Sequence, residues 1–142
     1  MNPSTLPAAQ GAPLVLVVDN DLGVSTLLQE VLARCGLRTA GVADGVAALR
    51  FLEGGSVSLV VCDLDMPEMG GLELLDELER RKVRAPVLIV SGYLDGDLER
   101  RLADRPSVVG VFRKPFDVFV FAERAREVLV PVVTPTSTSA SA

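Results

Sequence analysis

Five short strand-like runs, each followed by a stretch with the period of a helix, constrain this chain more than any other feature. The runs are Leu14–Val18, Arg38–Ala43, Val57–Cys62, Val87–Val90 and Val108–Phe112. All but the second are rich in Val and Leu almost without a polar break, as expected of strands buried on both faces. The second is smaller and more polar, which suits a place near a sheet edge. After the first run, Val24, Leu27, Leu28, Val31, Leu32 and Cys35 form one apolar helical face, stopped by Gly36. Shorter helices are expected over Val46–Glu53, from Leu72 to about Lys82, and around Leu94, Leu98 and Leu102; a longer one spans Asp117–Val130. Strands joined by single helices pair in parallel through right-handed crossovers. The expected class is therefore α/β, a five-stranded parallel sheet with helices on both faces.

Composition narrows what such a sheet can do. With no histidine, the chain has no His metal ligand, no His-based triad and no His proton shuttle. Its two cysteines, Cys35 and Cys62, are far apart, so neither zinc nor a disulfide framework is expected. The formal charge of −5 argues against nucleic acid as a partner. No apolar run approaches the length of a membrane span, and the first basic residue is Arg34, so neither membrane insertion nor a signal peptide is expected. A reducing, cytoplasmic setting fits these features. Residues 1–12 and 131–142 are poor in apolar surface and read as flexible tails or a linker stub around a domain at 13–130. The chain reads as a standalone domain or as one cut from a longer protein.

In open parallel sheets the ligand site lies beyond the carboxyl ends of the strands. Those ends carry Asp19-Asn20-Asp21, Asp63-Leu64-Asp65-Met66-Pro67, Ser91-Gly92-Tyr93 and Arg113-Lys114-Pro115-Phe116. Clustered carboxylates repel one another unless a cation neutralises them. Oxygen donors without His or Cys suit Mg²⁺ or Mn²⁺. A carboxylate beside such an ion can attack phosphorus, and a hydroxyl and an ammonium can then hold the phosphoryl oxygens. Helix capping is the plainer role for Asp19, Asn20 and Asp21, and a simple turn is the plainer role for Asp63 and Ser91. The glycine pairs Gly54-Gly55 and Gly70-Gly71 read as backbone turns, and both cysteines as buried filler.

These residues resemble the receiver domain of two-component response regulators, the CheY-like family, over about Leu14 to Leu129. Asp63 matches the phosphoacceptor aspartate, and Met66-Pro67-Glu68-Met69-Gly70 the signature that follows it. Asp19 matches the first acid of the pair after the first strand, Ser91 the phosphoryl-binding hydroxyl, and Lys114-Pro115-Phe116 the K-P-F run. The resemblance implies a flavodoxin-like strand order of 2-1-3-4-5 and a cis bond between Lys114 and Pro115. It implies Mg²⁺ held by Asp19, Asn20, Asp63 and the backbone carbonyl of Asp65, with the Asp65 side chain solvated. It implies a sensor histidine kinase or phosphotransfer protein as phosphodonor. Output to a partner or a second copy is expected through the fourth helix, fifth strand and last helix, where Phe119 and Val120 add apolar surface.

Two positions depart from the pattern. Asn20 replaces the second acid, so metal binding is expected to be weak. Val111 stands where many members carry a switching Tyr or Phe, and strand alternation sends Phe112 to the opposite face. These departures motivate a second reading, a receiver-like interaction module that needs no phosphate. A third reading is a haloacid-dehalogenase-like phosphatase, suggested by Asp63-Leu64-Asp65. Against it, Met66 and Pro67 follow where that motif continues differently, the strand is not the first, and no acidic motif follows Lys114 outside the last helix.

Overall fold

The computed structural model describes residues 11–66, 69 and 71–129. Strand and helix alternate without exception: β1 Leu14–Val18, α1 Leu22–Arg34, β2 Arg38–Val42, α2 Gly45–Glu53, β3 Leu59–Asp63, α3 Gly71–Arg80, β4 Val87–Ser91, α4 Gly96–Ala103, β5 Val108–Arg113 and α5 Val118–Leu129. The five strands form one parallel sheet in the order β2-β1-β3-β4-β5. The small, half-exposed β2 lies at an edge, as its composition suggests. The Lys114–Pro115 peptide bond is cis.

Alternation along each buried strand divides the core in two. Leu16, Val18, Val60, Cys62, Val87 and Ile89 face the layer of α2, α3 and α4. Val15, Val17, Leu59, Val61, Leu88 and Val90 face α1 and α5. Val111 packs with the first set and Phe112 with the second, so the two neighbours do point to opposite faces. Phe112, Phe116 and Phe121 form an aromatic trio with ring centroids 5.5–5.7 Å apart, the distance at which tilted and edge-on rings attract.

Asp side chains start most of the helices. Asp21, Asp44 and Asp95 accept from the backbone N–H groups of Val24, Ala47 and Leu98, and Asp117 from that of Phe119. Asp117 thus precedes the last helix as its cap, and Val130, its expected last residue, lies outside the described residues. Gly36, at φ +85°, follows the cap of α1, and Lys82, at φ +58°, follows α3. β3 begins at Leu59, two residues later than expected, and Ser58 just before it bonds the backbone of Leu14 through both its N–H and its hydroxyl oxygen.

The apolar stripe of α1 is partly misassigned. Ser25, Leu28 and Leu32 are its buried residues, whereas Leu27 is 46 % exposed. Ser25 tolerates burial because its hydroxyl accepts from Gln29, whose amide oxygen in turn accepts from Thr39 of β2. Of the expected tails, most residues lie outside the described range; Ala12 is described, and its carbonyl accepts from Arg38 Nε at 2.8 Å.

Candidate functional site

Parallel pairing brings the carboxyl ends of β1, β3, β4 and β5 to one rim. Asp63 is the last residue of β3, opposite Val90, and Ser91 is the last of β4, opposite Arg113. Asp19 and Asp63 are each 3 % exposed, and Ser91 is fully buried. Three polar side chains at strand ends, Asp19 just after β1 and the other two closing β3 and β4, thus stand in the mouth of an apolar sheet, where each needs a partner.

Lys114 supplies one. Its Nζ lies 3.4 Å from Asp19 Oδ2 and 3.5 Å from Asp63 Oδ2, so two carboxylates share a single ammonium. The other oxygens take backbone donors: the Asp21 N–H at 2.8 Å on Asp19 Oδ1, and the Asp65 N–H at 3.1 Å on Asp63 Oδ1. Burial raises the pKa of Asp63 above the ordinary carboxylate value, and the negative charges of Asp19 and Asp65 add to the rise. The Asp65 N–H bond and the Lys114 charge oppose it. Burial, reinforced by the charges of Asp63 and Asp19, pushes the neighbouring Cys62 thiol up to about 12. Cys62 faces the α2–α3–α4 layer and is buried filler, while Cys35 is half-buried.

The expected residues are gathered with two differences. Asn20 is exposed at the rim. Asp21, beside it, is the residue that caps α1, so capping and the site divide the acidic run between them. The Asp65 side chain is not simply solvated. Its Oδ2 accepts from the Ser91 hydroxyl at 3.0 Å and from the Gly92 N–H at 3.3 Å. Asp65 lies two residues beyond the end of β3, where strand alternation no longer fixes the direction of its side chain. Gly71 is the other residue whose role was missed. A Cβ on it would stand 3.1 Å from Leu64 Cα and 3.2 Å from the Asp63 carbonyl, so close approach demands glycine rather than a turn. Gly55 does take a left-handed turn, at φ +75°, and Gly70 lies outside the described residues.

Among the described residues no three His, Cys, Asp or Glu side chains are arranged to hold a metal ion. The pair of buried carboxylates nevertheless fits Mg²⁺, which binds through one or two carboxylates and keeps several waters.

The family model of the response regulator receiver domain matches residues 15–126. This chain belongs to the response regulator receiver family. The receiver is a signalling domain of two-component systems rather than a conventional enzyme, which sets the phosphatase reading aside. The chain is 35 % identical over 102 residues to the regulator of RpoS from Escherichia coli K12, covering 71 % of this chain and 30 % of that protein. It is 30 % identical over 104 residues to the sporulation initiation phosphotransferase F of Bacillus subtilis, covering 73 % and 83 %. The chain spans less than a third of the length of the first curated relatives it matches. The receiver of a LuxO-type repressor protein from Vibrio parahaemolyticus superposes with a TM-score of 0.79 at 22 % identity, covering 83 % of this chain and 90 % of that one. The response regulator TrrA of Thermotoga maritima, solved with Mg²⁺ and BeF, gives 0.72 at 26 % identity, covering 82 % and 99 %. Among the described residues no helix is long and apolar enough to cross a membrane.

Proposed function

We propose that this chain is a phosphoacceptor: Asp63 takes a phosphoryl group from a histidine kinase or phosphotransfer protein, and protein contacts read the change. The observation that carries this reading is the buried Asp19–Lys114–Asp63 arrangement with Ser91 on the next strand. An Asp63 carboxylate oxygen attacks phosphorus and forms the new P–O bond. The donor's P–N bond breaks, and the imidazole leaves with the electron pair and takes up a proton from water. Lys114 holds Asp63 in place and stays beside the phosphoryl oxygens, and Ser91 offers its hydroxyl to them. Asp19, Asp63, the Asn20 amide oxygen and the Asp65 backbone carbonyl would hold Mg²⁺, which neutralises charge on the phosphoryl oxygens when bound.

Output is assigned to α4, β5 and α5, toward a partner protein or a second copy, in the cytoplasm and without nucleic acid or membrane. α4 is two turns long and buries only Leu102, which suits an element that shifts at small cost. Phe119 and Val120 are both exposed on α5, and Phe119 also lines a groove against α1 with Leu27. Val111 is too short to fill the space a moving Ser91 leaves, so the shift is expected to be small. Intact-mass analysis after treatment with acetyl phosphate and Mg²⁺ tests the reading. One added phosphoryl group is expected, and none in Asp63→Asn. A shift that survives the substitution refutes the assignment. The module that needs no phosphate, favoured by the missing second acid at Asn20, predicts no shift in the unaltered chain either.

A further inference from the structure

Two hydrogen-bond donors beside Asp63 converge on one atom. The Ser91 hydroxyl and the Gly92 N–H both point at Asp65 Oδ2, at 3.0 and 3.3 Å. Ser91 also receives the Tyr93 N–H at 3.0 Å, which fixes the hydroxyl's orientation. Its one proton has two acceptors in reach, Asp65 Oδ2 and the Tyr93 carbonyl at 3.2 Å. The carboxylate is nearer and charged, so it takes the proton. A fully buried hydroxyl and a backbone amide, aimed together, form an anion cradle, and an anion of the chain's own already lies in it.

The tether makes this occupation local. The Asp65 N–H is bonded to Asp63 Oδ1, so Asp65 is anchored to Asp63 by its backbone and to Ser91 and Gly92 by its side chain. An anion built on Asp63 would meet the same donors. The side chain has room to leave: a cleft of about 760 Å³ opens beside it between α3 and α4, lined by Leu64, Gly92, Tyr93, Leu98 and Arg113. Arg113 would bring a cation to the departing carboxylate, although it now bonds the Leu94 carbonyl and Glu99.

We propose that the Asp65 carboxylate is an internal competitor for the phosphoryl group, holding Ser91 and Gly92 in the resting chain and having to leave before they can hold a phosphoryl group on Asp63. This inference rests on the phosphoacceptor reading of Asp63. A ligand that binds only the emptied cradle has its affinity reduced by the fraction of time the cradle is empty. Two bonds to a charged acceptor keep that fraction near one in ten, so emptying the cradle tightens binding about tenfold. Mere repulsion between Asp65 and an incoming anion also predicts some tightening, but it does not depend on the Ser91 hydroxyl.

The test has two parts. In the metal-free, unphosphorylated chain, Asp65→Ala should shift the Gly92 amide resonance and speed its hydrogen exchange; an unchanged amide overturns the resting contact. Beryllofluoride titration with Mg²⁺, followed by NMR, then compares the parent chain, Asp65→Ala, Ser91→Ala and the double variant. Half-saturation about tenfold lower is expected for Asp65→Ala, and a gain of about threefold or less when Ser91 is already Ala. Equal half-saturation in the parent chain and Asp65→Ala, or a full gain without the hydroxyl, overturns the inference alone. No binding by any variant overturns the phosphoacceptor reading and this inference with it. Asp65 is exposed, so Asp65→Ala should fold; Asp65→Asn repeats the comparison with the side chain's shape kept.

Discussion

Replacing Lys114 by Met removes the cation that two buried carboxylates share. The ammonium lies 3.4 and 3.5 Å from Asp19 and Asp63. At an effective dielectric of about 20, charges about 3.5 Å apart attract by roughly 5 kcal/mol before desolvation. Breaking a fully buried pair by deleting one partner typically costs about 3–5 kcal/mol. Here the Lys114 side chain is 26 % exposed, and an orphaned carboxylate can protonate, so we expect a loss of about 2–3 kcal/mol at pH 7.5 and low salt. The loss has a pH signature. The pKa of Asp63 is already raised in the folded chain, and removing Lys114, which lowers it, raises it further. The folded state then binds the proton more readily than the unfolded chain, so stability rises as pH falls through the raised value and levels off below the ordinary carboxylate value. Lys114→Met should therefore recover part of its deficit as pH falls from 7.5 to about 4, close to the ordinary carboxylate value. Mg²⁺ should stabilise the variant more than the parent chain, because a second cation enters the vacated position. Urea denaturation followed by circular dichroism at both pH values, with and without Mg²⁺, measures all of this. An equal deficit at pH 7.5 and about pH 4 would refute the shared-cation argument.

Three further outcomes can be checked directly. Asn20→Asp should bind Mg²⁺ more tightly, by about tenfold, because it adds a charge at the rim; calorimetric titration giving equal or weaker binding would remove position 20 from the metal site. Gly71→Ala should cost about 1–3 kcal/mol in urea denaturation, since the backbone at Leu64 and Asp63 has to give way, and should slow phosphoryl uptake by shifting the Asp63 backbone. At pH 8 the folded chain should present one thiol to an aromatic disulfide reagent: Cys35 reacts, whereas Cys62, buried and with its pKa near 12, stays protected until urea is added.

How much of this was legible in the sequence varies by element. The sheet was, because strands buried on both faces are continuous apolar runs and admit little else. Asp19, Asp63 and Ser91 were legible for a related reason: each is the polar residue at which such a run stops, Lys114 follows one residue after the last run's stop at Arg113, and parallel pairing aligns the stops. Leu27 was not. A helix stripe read from spacing merges the face against the sheet with the flank against a neighbouring helix, and only packing showed that Ser25 takes the inner place. Asp65 was expected at the site through its backbone carbonyl, but its side-chain contact was missed because the partner lies 26 positions away, which spacing cannot reveal. Gly71 gave no local sign, since the atoms that exclude a Cβ there belong to the preceding strand end.

The two layers that cover the sheet share apolar packing but differ in the ion pairs between their elements. On one side Arg81 reaches from the end of α3 to Glu53 of α2, Arg105 reaches Asp76 and Glu79, and Arg113 reaches Glu99 of α4. On the other, the only ion pair among the described residues of α1 and α5 is Arg124–Glu127, within α5 itself; the layer rests on Leu28, Leu32 and the phenylalanine trio. Exposed ion pairs fade as the Debye length falls from about 10 Å in 0.1 M salt to about 3 Å in 1 M. Apolar packing weakens instead on cooling. Ionic strength thus acts mainly on one side of the sheet, whereas temperature acts on both. The α3–α4 cleft beside Asp65 lies on the salt-sensitive side, so the electrolyte around the protein adjusts the surroundings of that cleft and leaves the ion pairing of the opposite layer almost untouched.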